Sequence, residues 1–350
     1  MIPFLKQVAE HYYNGGGVER CCFIFPNRRS MAFFMKYLSE SVKGASSPII
    51  APQMFTINDF FYAISGKKAI DRVTQLLELY QAYVEVFYAH NQLSGLKPES
   101  LDEFIFWGEV ILSDFNDVDK YLVDPKQLFA NVSDFKQLQD TFSYLTETQR
   151  AAIEGFVSHF SDMTGRLTVN LDVKGRFLML WNLLYDLYKK FNERLSAKDE
   201  AYEGMVYRAL AERLKATPVA DVLSDAFDAD VRFVFVGLNA LNECEKTLLR
   251  KLRDADRAEF CWDYSGKMIS DPQNRSSVFM SRNVEDFPQA AKWDTDGLQT
   301  PKVNVVSVPS SVGQAKRLPD ILHQVLGGAV KGSLKAEELV DCAGWHIAKH

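Results

Sequence analysis

Two apolar runs, Cys22-Phe-Ile-Phe and Val231-Arg-Phe-Val-Phe-Val, constrain this chain more than any other feature. Neither alternates polar with apolar residues, which is how a strand buried on both faces reads. Pro26 stops the first run and Gly237 follows the second. Pro48 to Phe55, Ala258 to Tyr264 and Val303 to Val308 give further extended segments. Helical patterns stand between them. Met31, Phe34, Met35 and Leu38 share one face, with Asn27 or Ser30 as the cap. Phe60, Phe61 and Ile64 share another, capped by Thr56 or Asn58. A Leu- and Lys/Arg-rich helix spans 244–253. Strands alternating with helices predict an α/β fold whose parallel sheet is covered on both faces.

From Lys67 to about Asn192 the period changes. Leu76, Leu77, Tyr80, Tyr83 and Val84 repeat at helical spacing, as do Phe104, Trp107 and Ile111. Phe156 and Phe160 follow, then Leu178, Trp181, Leu184, Leu187 and Tyr188. Apart from a weak β-like Leu167-Thr-Val, no strand interrupts. The expectation is a discontinuous α/β domain, 1–65 and 200–342, interrupted by a large all-helical insertion at 66–199. Its acidic stretch, Asp114-Phe-Asn-Asp-Val-Asp, lacks the glycine and later glutamate of a calcium loop, so it reads as a solvated helix end. Residues 268–300 are polar and read as a long loop.

The 350 residues carry a net charge of −6, which disfavours a protein that coats nucleic acid by charge alone. The small basic excess lies near the N-terminal end, around Arg28, Arg29, Lys36 and Lys43. The opening MIPFLKQVAEHYY, with Lys6 and Glu10 inside it, reads as an amphipathic helix instead of a signal peptide. No stretch is apolar enough for a membrane span, so no membrane partner is expected. The five cysteines form no CxxC pair, and adjacent Cys21 and Cys22 should point to opposite faces of a strand. A cytoplasmic setting is expected.

The tempting chemistry is a phosphate-binding loop at Gly15-Gly-Gly. Such a loop needs GxxxxGK[ST] after a strand, because its amides, lysine and hydroxyl each hold part of a nucleotide. These glycines precede the strand, and no Gly-Lys-Ser/Thr follows. They read as a helix-to-strand connection. The acid that ends the magnesium strand of such ATPases is also missing. Val236 stands in its place, followed by Gly237, and Glu243 and Glu245 read as charges at a helix start. There is no HExxH, no GxSxG and no Asp followed by ExK on neighbouring strands. No catalytic residue, metal site or cofactor is therefore assigned. The pattern is that of a nucleotide-binding architecture without its chemistry.

FIFPNRRSMAFFMKYL followed by PQMFTINDFF resembles the N-terminal part of AddB/RexB-type proteins, the inactivated superfamily I helicase subunits of bacterial double-strand-break repair nucleases. The similarity is to the branch that carries a C-terminal PD-(D/E)xK nuclease domain. It places Phe25-Pro-Asn-Arg-Arg at helicase motif Ia and Thr56-Ile-Asn-Asp-Phe at motif Ib. Trp107-Gly-Glu with 114–119 resembles part of the family's helical insertion, and Tyr202-Glu-Gly-Met-Val-Tyr-Arg the segment entering the Walker B strand. Phe235-Val-Gly-Leu-Asn-Ala-Leu is similar to a degenerate Walker B region, and Ser311-Val-Gly-Gln-Ala-Lys to the approach to the second half of the core. The resemblance implies a RecA-like (P-loop NTPase-like) fold with a degenerate nucleotide site at Val236 and Gly237. The second RecA-like domain and the nuclease domain are not in this sequence, and 343–350 departs from the family strand. The expectation is therefore a fragment of a longer DNA-processing protein.

A non-catalytic module that binds single-stranded or duplex-end DNA is the leading functional expectation, with Asn27, Arg28, Arg29, Ser30, Thr56 and Asn58 as candidate contacts. Arg28 and Arg29 could equally serve solubility or pair with the acidic insertion. Phe55 or Phe61 could stack bases or fill a core. The alternatives are a scaffold docking to a partner helicase or nuclease subunit, and an active ATPase whose phosphate site is not visible.

Overall fold

A computed structural model describes residues 2–42, 49–90, 97–98, 100–128, 173–271, 273–293 and 305–325. Residues 2–293 belong to one compact unit, and 305–325 to a second.

Four short strands form an all-parallel sheet: β1 (Cys21–Phe25), β2 (Gln53–Thr56), β3 (Arg232–Val236) and β4 (Ala258–Cys261), in the spatial order β2-β1-β3-β4. Register is set by pairs such as Cys22 with Gln53, Cys22 with Phe233, and Phe235 with Phe260. The period of two divides each strand's side chains between two cores. Phe23, Phe25, Val234 and Val236 face α1 (Phe4–Gly15) and α2 (Arg28–Val42), meeting Val8, Tyr12, Phe34 and Leu38. Cys22, Ile24, Phe233 and Phe235 face α3 (Ile57–Ser65), α7 (Glu203–Ala216) and α9 (Glu243–Asp254). Cys21 and Cys22 do diverge, the first half-buried and the second buried. Helices on both faces explain why β1 and β3 are wholly apolar over Cys22–Phe25 and Phe233–Val236.

Gly16 and Gly17 have φ of 73° and 75° and lead from α1 through a short 3₁₀ turn into β1. They form the plain connection expected of them.

Three long helices, α4 (Arg72–His90), α5 (Leu101–Lys120) and α6 (Val173–Ala197), share a core of Leu79, Tyr83, Phe104, Phe115, Phe191 and Leu195. The helical stretch is not wholly helical. Lys68–Ala69 (β5) pairs in parallel with Glu200–Ala201 (β6), the two ends of the stretch lying side by side. Lys67 and Asp199 form an ion pair beside them. An ion network joins α4 to α6, with Glu78 taking both Arg194, at 2.9 Å, and Lys198. Phe156, Phe160 and Leu167-Thr-Val lie outside the described residues, as do the side chains of Trp107, Leu178 and Trp181.

Two expectations fail in the C-terminal third. Residues 268–300 are not a loop as far as they are described. α10 (Gly266–Ser270), a 3₁₀ turn at Arg275–Ser277 and α11 (Val278–Asp286) fill most of 266–286. Polar composition hid a narrow stripe, in which Met280, Asn283 and Phe287 are buried. The strand expected at 303–308 is absent from its described part. Residues 305–308 have no regular structure, and Val305 is 89% exposed. In the second unit, Ser311–Val325 forms helix α12. Between α7 and α9 lies the short α8 (Val219–Leu223). Among the described residues, no helix is long and apolar enough to cross a membrane.

Candidate functional site

The chain leaves β1 towards β2 on one side and leaves β3 towards β4 on the other. Open parallel sheets of this kind form their binding crevice outside the carboxyl ends of the strands, at such a reversal. Here Asn27 after β1, with Arg28, Arg29 and Ser30 in the first turn of α2, and Gly237 after β3 flank the reversal.

Asn27 is the cap of α2. Its Oδ1 accepts from the Ser30 amide at 2.9 Å and the Ser30 hydroxyl at 3.1 Å. That turn fixes where the chain emerges from β1 and leaves Arg28 and Arg29 exposed in the first helical turn. Neither arginine makes a hydrogen bond or ion pair with any described residue. Many other arginines do: Arg72, Arg194, Arg208, Arg232 and Arg250 all hold carboxylates. Two cations at the positive end of a helix oppose its dipole by about 0.3–1 kcal/mol each, and an anion seated there would relieve both.

The neighbouring pair of candidates is engaged within the fold. Thr56 is only 8% exposed. Its hydroxyl accepts from the Asp59 amide at 3.2 Å and donates to the Asp59 carboxylate at 2.8 Å, so it caps α3. Asn58 Oδ1 accepts from the Tyr207 hydroxyl at 2.5 Å, tying α3 to α7. The Thr-x-x-Asp pattern carried the cap signal, whereas the Tyr207 partner lies 149 positions away and left no local trace. Phe61 stacks on Tyr207 with ring centroids 3.7 Å apart, and Phe55 meets Phe60 and Phe227. Phe61 is a core residue, and Phe55 is half-buried against the same core.

Val236 is fully buried on the α1/α2 face, and Gly237 follows with φ of 67°. Glu243 and Glu245 open α9. Asn242 and Glu245 form a reciprocal capping box, with the Glu245 amide to Asn242 Oδ1 and the Asn242 amide to Glu245 Oε2 both at 2.9 Å. Burial pushes the Glu245 carboxyl up to about 7. Lys120 lies near enough to oppose that shift, and itself pairs with Glu203 at 2.6 Å.

The acidic stretch on α5 is solvated only in part: Asp114 and Asp117 are exposed as expected, and Asp119 is not. Phe115 and Asp119 are four residues apart and share the inward face, so Asp119 is fully buried instead of solvated. Its carboxylate accepts from the Tyr188 hydroxyl at 2.6 Å, from the Tyr202 hydroxyl and from Arg208 Nε at 2.6 Å. Nearby, Asn116 Oδ1 accepts from the Gly204 amide at 2.7 Å. The stretch fastens α5 to α6 and α7. Among the described residues, no group of three or more His, Cys, Asp or Glu could hold a metal ion.

No protein-family model matches this chain, and no curated protein matches it.

Proposed function

We propose that this chain is a non-catalytic, RecA-like module of a DNA-repair nuclease that grips a nucleic-acid phosphate with Arg28 and Arg29. The observation that carries the reading is the pair itself. Both guanidinium groups are exposed at the β1 exit, beside the reversal of strand order, and without a described counter-charge. The Asn27 turn presents them on a defined helix start instead of a loose loop. The FPNRRS resemblance adds the DNA context. Asn27 and Ser30 position the arginines. Thr56 and Asn58 hold α3 and contribute only indirectly.

The test is a salt titration of single-stranded DNA binding by Arg28→Ala with Arg29→Ala. Loss of two phosphate contacts should lower the slope of log K against log salt by about 1.4, at roughly 0.7 per contact. Unchanged affinity and slope would remove the site. Pull-down of a helicase or nuclease partner that survives nuclease treatment, with no DNA binding, would favour the scaffold.

A further inference from the structure

A second group of polar side chains at the carboxyl edge of the sheet is not used by that reading. A cavity of about 310 Å³ opens beyond the ends of β3 and β4. Asn239, Asp263 and Tyr264 line it, and none of these side chains makes a hydrogen bond or ion pair with a described residue. Leu238, Met268 and Met280 supply apolar wall. Leu238 and Met280 are 4% and 8% exposed, so that wall is continuous with the core beneath the sheet. The size is at the lower end of small-ligand sites, and the position beyond strand ends is where open parallel sheets receive ligands.

The lining decides the chemistry. Among the residues that line the cavity there is no lysine, arginine or histidine, and one carboxylate is present. A phosphate or carboxylate ligand would meet Asp263 with no cation to offset it. A donor-rich cation would find a charged acceptor in Asp263, further acceptors in the Asn239 amide and Tyr264 hydroxyl, and an apolar wall for a short alkyl stem. We infer that this cavity binds an alkyl amine or alkyl guanidine, its head group on Asp263 and its stem along Leu238, Met268 and Met280. Asp263 is exposed at the cavity and so accessible to a ligand, and its surroundings still raise its pKa by desolvation, so a cation seated there would supply a counter-charge that no described residue provides.

The head group could belong to a free amine or to an arginine side chain of another protein. Calorimetric titration with agmatine and with N-acetyl-arginine amide distinguishes these sources. Tighter binding of agmatine points to a free amine, and tighter binding of the capped arginine to a partner chain. Either supports the site. Asp263→Asn should weaken binding at least about tenfold, the loss expected for one charge-assisted hydrogen bond. Asp230→Asn makes the same change in net charge at an exposed position outside the cavity and should leave binding unchanged. Asn239→Asp, at an exposed residue, should tighten binding and guards against a folding defect in the first variant. The proposal is overturned if neither ligand binds at millimolar concentration. It is equally overturned if Asp263→Asn binds as well as the parent, or if Asp230→Asn loses as much as Asp263→Asn.

Discussion

Asp119 offers a direct test of how the helical stretch is fastened to the sheet. It is fully buried and accepts from Tyr188, Tyr202 and Arg208, drawing α5, α6 and the start of α7 to one carboxylate. Asp119→Ala would deprive the Arg208 guanidinium, whose side chain is 16% exposed, of its buried counter-charge and leave it the more exposed Glu212 at 3.6 Å. It would also leave two phenols without an acceptor. Removing one partner of a buried pair costs about 3–5 kcal/mol. Arg208 keeps its bonds to the carbonyls of Val118 at 2.8 Å and Val123 at 2.6 Å, which places the cost near the lower end, about 3 kcal/mol. With a urea m-value of about 3 kcal/mol per molar, the unfolding midpoint should fall by about 1 M. Asp119→Asn keeps an acceptor oxygen but no charge and should cost roughly half as much. Adding Arg208→Met to Asp119→Ala should recover part of the loss, with a coupling of about 2 kcal/mol in the double-mutant cycle. Circular dichroism across a urea series measures the parent, Asp119→Ala, Arg208→Met, the double variant and Asp119→Asn. Two results would refute the reasoning: a midpoint change under about 0.3 M for Asp119→Ala, or fully additive losses in the cycle.

Two other perturbations have a definite sign. Glu245 has a folded-state pKa of about 7 against an ordinary 4.5, so its contribution is fully present below pH 4.5 and is lost as pH rises through 7. Glu245→Gln should therefore leave stability near pH 4 little changed and raise it at pH 8, by an amount bounded at about 3 kcal/mol; thermal melts at the two pH values check this. Gly204→Ala should destabilise by about 1–3 kcal/mol although alanine is the better helix former, because the new methyl would sit 2.6 Å from the Asn116 carbonyl oxygen and 2.9 Å from its Cα. A raised melting temperature for that variant would contradict the close approach of α5 and α7.

The elements that could be read from sequence are those with strong local causes. β1 and β3 are dense apolar runs, and α3 and α9 open on Thr56 and Asn242, side chains that cap by themselves. What escaped depends on partners distant in the chain. Asp119 looks like one more surface acid until Arg208 and the two tyrosines surround it. Asn58 resembles a free polar contact until Tyr207 claims its oxygen. β5 and β6 are two residues each, too short for any periodicity to show. At the candidate site, Arg28 and Arg29 were visible because charge after a buried strand is conspicuous. The cavity at Asp263 was not, because its walls come from three separate segments of chain.

The pairing of β1 with β3 also sets a clock for synthesis. β1 sits inside the sheet, yet one of its two edges waits for a strand roughly 210 residues later. At about 5–20 residues per second, the ribosome needs on the order of 10–40 s to deliver that strand. Until then β2, α1, α2 and α3 can cover only part of Cys22-Phe-Ile-Phe, whose free backbone edge is a template for the wrong partner. A nascent chain of this design is most exposed to aggregation while its helical stretch is being made, and a shorter stretch would narrow that window.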